Sequence, residues 1–173
     1  HGLIADEAMW AELADFDLAQ PDLAQLSTMI GKSVRVKERI VEEDPHETGI
    51  RKALNLGHTF GHAFEAWSLK RKPVLHGYAV AFGLMAELYL SAALKGFPAD
   101  RLRQTVGFIR AYYGSLPFTC NDYPELIELM YHDKKNRGNE INVTLLAGIG
   151  DVRIDQTVSE EEVREALDFV REG

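Results

Sequence analysis

Apolar residues recur at helical spacing through most of the 173-residue chain, and one late stretch alternates instead. Asp6 or a neighbour is placed to cap a short amphipathic helix with Leu3, Met9, Trp10 and Leu13 inward, ending near Asp15. Pro21 suits the first turn of a second helix running to about Glu43, with Leu26, Met29, Ile30, Val34, Ile40 and Val41 as its apolar stripe. DPHETGI (44–50) carries turn chemistry at Asp44-Pro45 and Gly49. A helix holding GHTFGH follows to about Lys70, and KRKP (70–73) breaks it. The segment from His76 to Gly96 is apolar on nearly every side and reads as the buried centre of a bundle. Gly77 and Gly83 within it would mark close helix contacts, since glycine otherwise weakens a helix.

Two more helices span 98–114, with Leu102, Val106, Ile109 and Tyr113 inward, and 123–133. A last one, 158–172, starts behind the capping signal Ser159-x-x-Glu162. NEINVTLLAGIGDVRI (139–154) is β-branched and alternating, with Gly148-Ile149-Gly150-Asp151 as its turn, so a hairpin is expected. The expected class is therefore mostly α, a helical bundle with one short hairpin near 140–154. No alternating βαβ units and no glycine-rich phosphate loop occur, so the chain holds no Rossmann domain of its own.

A formal net charge of -8 argues against a nucleic-acid surface or anionic membrane as partner. One cysteine, Cys120, permits no internal disulfide and fits a reducing compartment. The most apolar run, YAVAFGLMA (78–86), is much shorter than the roughly 20 residues of a spanning helix. A start at His1-Gly2 suggests a piece of something longer.

Chemistry concentrates in the histidines. His58 and His62 lie four residues apart, so on one helix their Cβ atoms would be roughly 6 Å apart and could converge on one ion. A lone pair at that spacing is more often structural or surface than ligating, and no glutamate follows His58 as it would in a zinc-protease helix. His76 opens the most apolar helix, where the dipole disfavours an imidazolium and leaves the neutral ring a metal needs, although a cap-like histidine at a helix start fits the position as well. Arg51 and Asn55 would extend the face of His58 and His62, while Ala53, Leu54, Phe60, Ala63 and Phe64 are apolar. A buried polar stripe of that kind needs partners, and a phosphorylated, hydroxylated ligand would supply them. Lys37, Lys134 and Lys135 stand beside breaks in an acidic protein and are candidates for the same ligand.

HETGIRKALNLGHTFGHAFE (46–65), LHGYAVAFG (75–83) and DKKN (133–136) together resemble 3-dehydroquinate synthase, over essentially the whole chain. The resemblance implies that residues 1–173 are one domain, the metal- and substrate-binding C-terminal half of a dehydroquinate synthase-like fold. The NAD-binding, Rossmann-like half would lie outside this chain. It further implies a lyase of the shikimate pathway, serving chorismate and aromatic amino acid biosynthesis in the cytoplasm. The family converts 3-deoxy-D-arabino-heptulosonate 7-phosphate to 3-dehydroquinate and phosphate, with NAD⁺ and a divalent metal, Zn²⁺ or Co²⁺. His58 and His76 match metal ligands, and a third, a glutamate, would precede His1. Lys37, Arg51, Asn55, His62 and Lys134 or Lys135 match substrate contacts, and Glu47 and His62 match proton-transfer positions. A homodimeric full-length enzyme and an inactive isolated chain are expected. Competing readings are another sugar-phosphate cyclase such as 2-deoxy-scyllo-inosose synthase, a metal-dependent alcohol or glycerol dehydrogenase domain, and a non-catalytic helical module.

Overall fold

The structure, a computed structural model, describes residues 1–132 and 140–172. Its helices are α1 (Gly2–Ala5), α2 (Glu7–Ala14), α3 (Leu23–Glu43), α4 (His58–Leu69), α5 (His76–Lys95), α6 (Ala99–Tyr113), α7 (Tyr123–Tyr131) and α8 (Glu160–Glu172). Strands β1 (Ile141–Gly148) and β2 (Asp151–Val158) form an antiparallel hairpin before α8. The mostly helical class with one hairpin is as expected, although the hairpin runs on to Val158.

Local signals explain the helix starts. Asp6 accepts the Met9 N–H at 2.9 Å, and Ser159 and Glu162 close the reciprocal box at α8. At α3 the cap is Asp22, which accepts from Ala24 and Gln25, so Pro21 precedes the cap rather than sitting in the first turn.

Helix α5 is the centre, as its composition implies. It packs against α4, α6, α8 and β1, and buries Phe82, Met85, Leu88 and Leu90. By length and composition α5 could cross a membrane, contrary to the sequence estimate, but four elements of the same fold cover it. β1 is the buried strand of the hairpin, with Ile141, Val143, Leu145 and Leu146 in the core, whereas β2 faces outward.

Three apolar expectations fail. Leu13 at the end of α2 is exposed, and so are Ile30 and Val34, because α3 meets the fold through the side that carries Met29 and Ile40. Leu26 and Val41 are only half-buried.

The glycines of α5 divide. A Cβ at Gly83 would lie 2.0 Å from the Gly57 carbonyl oxygen and 2.6 Å from the Gly61 nitrogen, so α4 and α5 touch backbone to backbone. Gly77 has nothing within 4 Å of such a Cβ and marks no contact.

Candidate active site

GHTFGH does not sit in a single helix with Arg51 and Asn55. Residues Ile50–Asn55 form a 3₁₀ turn, Gly57 adopts φ +81°, and α4 begins only at His58. The left-handed backbone at Gly57 reorients the chain, and a side chain there would meet Leu84 at 2.8 Å. The expected continuous face is thus cut between Asn55 and His58, and two groups of polar residues result.

The first group is the histidines. His58 and His62 project from the first turns of α4, and His76 from the first turn of α5. Their ring centroids form a near-equilateral triangle, with sides of 5.5, 5.6 and 5.9 Å. This close approach depends on the glycine contacts between α4 and α5. Nδ1 of His58 lies 3.2 Å from the Leu56 carbonyl, and Nδ1 of His76 lies 2.9 Å from Oε2 of Glu65. A proton on Nδ1 donated to each oxygen leaves Nε2 as the basic nitrogen of both rings. Two such imidazoles are donors suited to zinc or cobalt. Among the described residues no group of three or more His, Cys, Asp or Glu side chains is arranged to hold a metal. A further ligand would have to come from elsewhere.

The second group is the loop 44–51. Asp44 is buried, and its carboxylate accepts from the backbone N–H groups of Gly49 at 2.8 Å, Thr48 at 3.1 Å and Arg51 at 3.1 Å. That ring of donors, Gly49 foremost, pulls its pKa from 3.8 down to about 2 against the opposing effect of burial. Glu47 is held at φ 56°, an uncommon left-handed state for a side-chain-bearing residue, and its Oε1 accepts from Asn55 Nδ2 at 2.7 Å. Arg51 donates through Nη1 to the Pro45 carbonyl at 2.7 Å, and the remaining edge of its fork can serve a ligand.

The hairpin braces both groups. Lys52 reaches Asp155 of β2 at 2.6 Å, where one additional residue in β2 opposite Thr144 bulges the strand. Thr59 Oγ1 donates to the Asn142 carbonyl at 2.9 Å.

Lys37 is exposed on α3, which packs on the 50–55 turn, and it makes no hydrogen bond or ion pair to another described residue. Lys134 and Lys135 lie outside the described residues. Three carboxylates escaped the sequence reading: Asp44, Glu65 and Glu87. Glu65 was accessible in principle, since it lies seven residues after His58 on the same helical face. Asp44 looked like a turn former only, and Glu87 is an acid in an otherwise apolar run.

A pH dependence follows from Asp44. Its folded pKa is depressed, so its stabilising contribution is complete above about pH 4 and disappears as pH falls towards about 2. Hydrogen exchange at Gly49 should accelerate over that interval, and Asp44→Asn should exchange fast at every pH. Unchanged protection in Asp44→Asn would refute this role.

Residues 1–136 match the family model described as 3-dehydroquinate synthase C-terminal. The chain belongs to that family. A 3-dehydroquinate synthase of Parabacteroides distasonis is 56% identical over 174 residues, covering 100% of this chain and 49% of the relative. One from Streptococcus pneumoniae is 36% identical over 170 residues, covering 96% and 47%. The chain thus spans about half the length of the curated 3-dehydroquinate synthases it matches. Among solved structures, the 2-epi-5-epi-valiolone synthase ValA of Streptomyces hygroscopicus subsp. jinggangensis, with NAD⁺ and Zn²⁺ bound, superposes with a TM-score of 0.81 at 20% identity. It covers 99% of this chain and 48% of that one. A 2-deoxy-scyllo-inosose synthase complexed with carbaglucose-6-phosphate, NAD⁺ and Co²⁺ gives 0.73 at 19%, covering 99% and 51%. At such identity the likeness establishes the fold, that of the C-terminal half of a dehydroquinate synthase-like enzyme.

Proposed function

We propose that this chain is the metal- and substrate-binding half of a 3-dehydroquinate synthase. The full-length enzyme would release phosphate from 3-deoxy-D-arabino-heptulosonate 7-phosphate as it forms 3-dehydroquinate. The observation that carries this reading is the meeting of His58, His62 and His76 at the glycine-packed junction of α4 and α5, in a chain of this family.

His58 and His76 would hold the divalent ion, Zn²⁺ or Co²⁺, on the Nε2 side of rings whose Nδ1 atoms face Leu56 O and Glu65. When bound, the metal supplies Lewis acidity to substrate hydroxyls. The other half of the enzyme would hold NAD⁺, which would supply reversible hydride chemistry. His62 holds a substrate oxygen beside the ion and moves its proton. Glu47, presented by the strained turn and steadied by Asn55, is the second proton-transfer group. Arg51 grips phosphate or carboxylate in bidentate fashion, and Lys37, Lys134 and Lys135 add positive charge around the same anion. Asn55 contacts a substrate hydroxyl. The enzyme works as a homodimer in the cytoplasm, on the pathway to chorismate and the aromatic amino acids.

The deciding assay follows phosphate release by the full-length protein with NAD⁺ and Zn²⁺. Turnover of the heptulosonate phosphate, its loss in His58→Ala, and no reaction with glucose 6-phosphate are expected. Turnover of glucose 6-phosphate alone would assign the protein to another sugar-phosphate cyclase, and no phosphate release from either would overturn the proposal.

On its own the chain should be inactive and bind zinc weakly. Two imidazoles leave most of the coordination to water, whereas catalytic zinc sites usually have three protein ligands. Calorimetry of the 173-residue chain should give no sub-micromolar Kd. A tighter value would mean that a third protein ligand lies within it.

A further inference from the structure

Glu87 sits in the middle of α5 and is 0% exposed, an acidic side chain in the core of the fold. Burying a carboxylate is costly unless donors meet it, and here the backbone of α4 supplies them. Oε2 accepts the Gly57 N–H at 2.6 Å, and Oε1 accepts the Thr59 N–H at 3.2 Å. These amides flank His58 on either side. They belong to the start of a helix, where N–H groups lack intrahelical acceptors and a negative charge is favoured.

The cap comes from another helix for a steric reason. The residue before His58 would ordinarily provide its own side-chain cap, but position 57 takes φ +81° against Leu84 and so must be glycine. The acceptor therefore has to be delivered from α5. Glu87 lies one turn beyond Gly83, on the face that touches Gly57 and Gly61. It is also tied to the hairpin: its carbonyl accepts from Ser91 Oγ at 2.6 Å, and that oxygen accepts the Leu146 N–H at 2.9 Å.

We propose that Glu87 is a positioning residue for His58: it clamps the backbone on both sides of the histidine, and so fixes the ring against the Leu56 carbonyl with Nε2 aimed at the site. This rests on the reading of His58 as a metal ligand. Glutamine keeps the shape of the side chain but offers only one acceptor to two amides, so Glu87→Gln should loosen the clamp without opening a cavity.

The test uses the ¹⁵N-labelled chain, with Zn²⁺ titrated against the histidine ring signals. Glu87→Gln should bind zinc roughly 10- to 100-fold more weakly than the unmodified chain, the usual cost of losing a group that orients a ligand. At alkaline pH its His58 ring should pass from the single Nδ1–H tautomer to a mixture. Zinc affinity and tautomer both unchanged in Glu87→Gln would overturn the proposal. His58→Ala separates the two ideas: if it binds zinc as well as the unmodified chain, the ligand reading of His58 fails, and the tautomer alone then decides the role of Glu87. A measurement on the unmodified chain holds even if Glu87→Gln folds poorly. The Gly57 and Thr59 amides should exchange as slowly as those of α5, and exchange at the rate of open helix-start amides would sink the clamp.

Discussion

Alanine at Gly83 is expected to destabilise the fold by at least about 3 kcal/mol, the upper end of what overpacking usually costs. The added methyl would stand 2.0 Å from the Gly57 oxygen and 2.6 Å from the Gly61 nitrogen. Both are backbone atoms, so no rotamer change can relieve the clash, and α4 must move away from α5. For a domain of this size that loss corresponds to a fall of roughly 6–12 °C in Tm. Gly77→Ala is the internal control, because its Cβ would meet nothing within 4 Å and alanine is the better helix former. Equal stability of the two variants in chemical denaturation would refute the backbone contact. The displacement also has a functional side, since His58 follows Gly57 directly and His76 opens the opposing helix. Gly83→Ala should therefore weaken zinc binding even at temperatures where it stays folded.

His62→Ala should leave zinc in the holoenzyme and lower turnover by roughly 10²–10⁴-fold, the range for losing a positioned proton-transfer group. The geometry makes this a demanding test. His62 stands 5.5 Å from His58 and 5.9 Å from His76, against 5.6 Å between those two, so ring separation does not distinguish a ligand from a neighbour. Nδ1 of His58 and of His76 face Leu56 O and Glu65, as suits imidazoles that would offer Nε2 to a metal, and the family resemblance gives the metal to these two. Metal analysis of His62→Ala beside His58→Ala decides between the two roles. Equal zinc loss would make His62 a ligand and remove it from proton transfer.

The linear pattern determined whatever depends on neighbours in the chain. Asp6 and the Ser159–Glu162 pair start helices where their spacing says they should, and the predominantly apolar run 76–96 put α5 at the centre. The family strings, too, are legible as strings, and through them the histidines that meet at the site. The sequence was misleading wherever a distant element had the last word. Helical spacing ran Arg51, Asn55, His58 and His62 together, but the approach of Leu84 and Gly83 forces Gly57 into a left-handed turn and separates them. Ile30 and Val34 have the periodicity of buried residues, yet α3 turns its other side to the fold. The carboxylates that orient the site were the least visible. Glu65 meets His76 across 11 positions, and Glu87 meets Gly57 across 30. A short-range pattern records which face of a helix is apolar; which carboxylate reaches which amide or imidazole is fixed only when two helices pack, because the hydrogen bond needs both partners within about 3 Å.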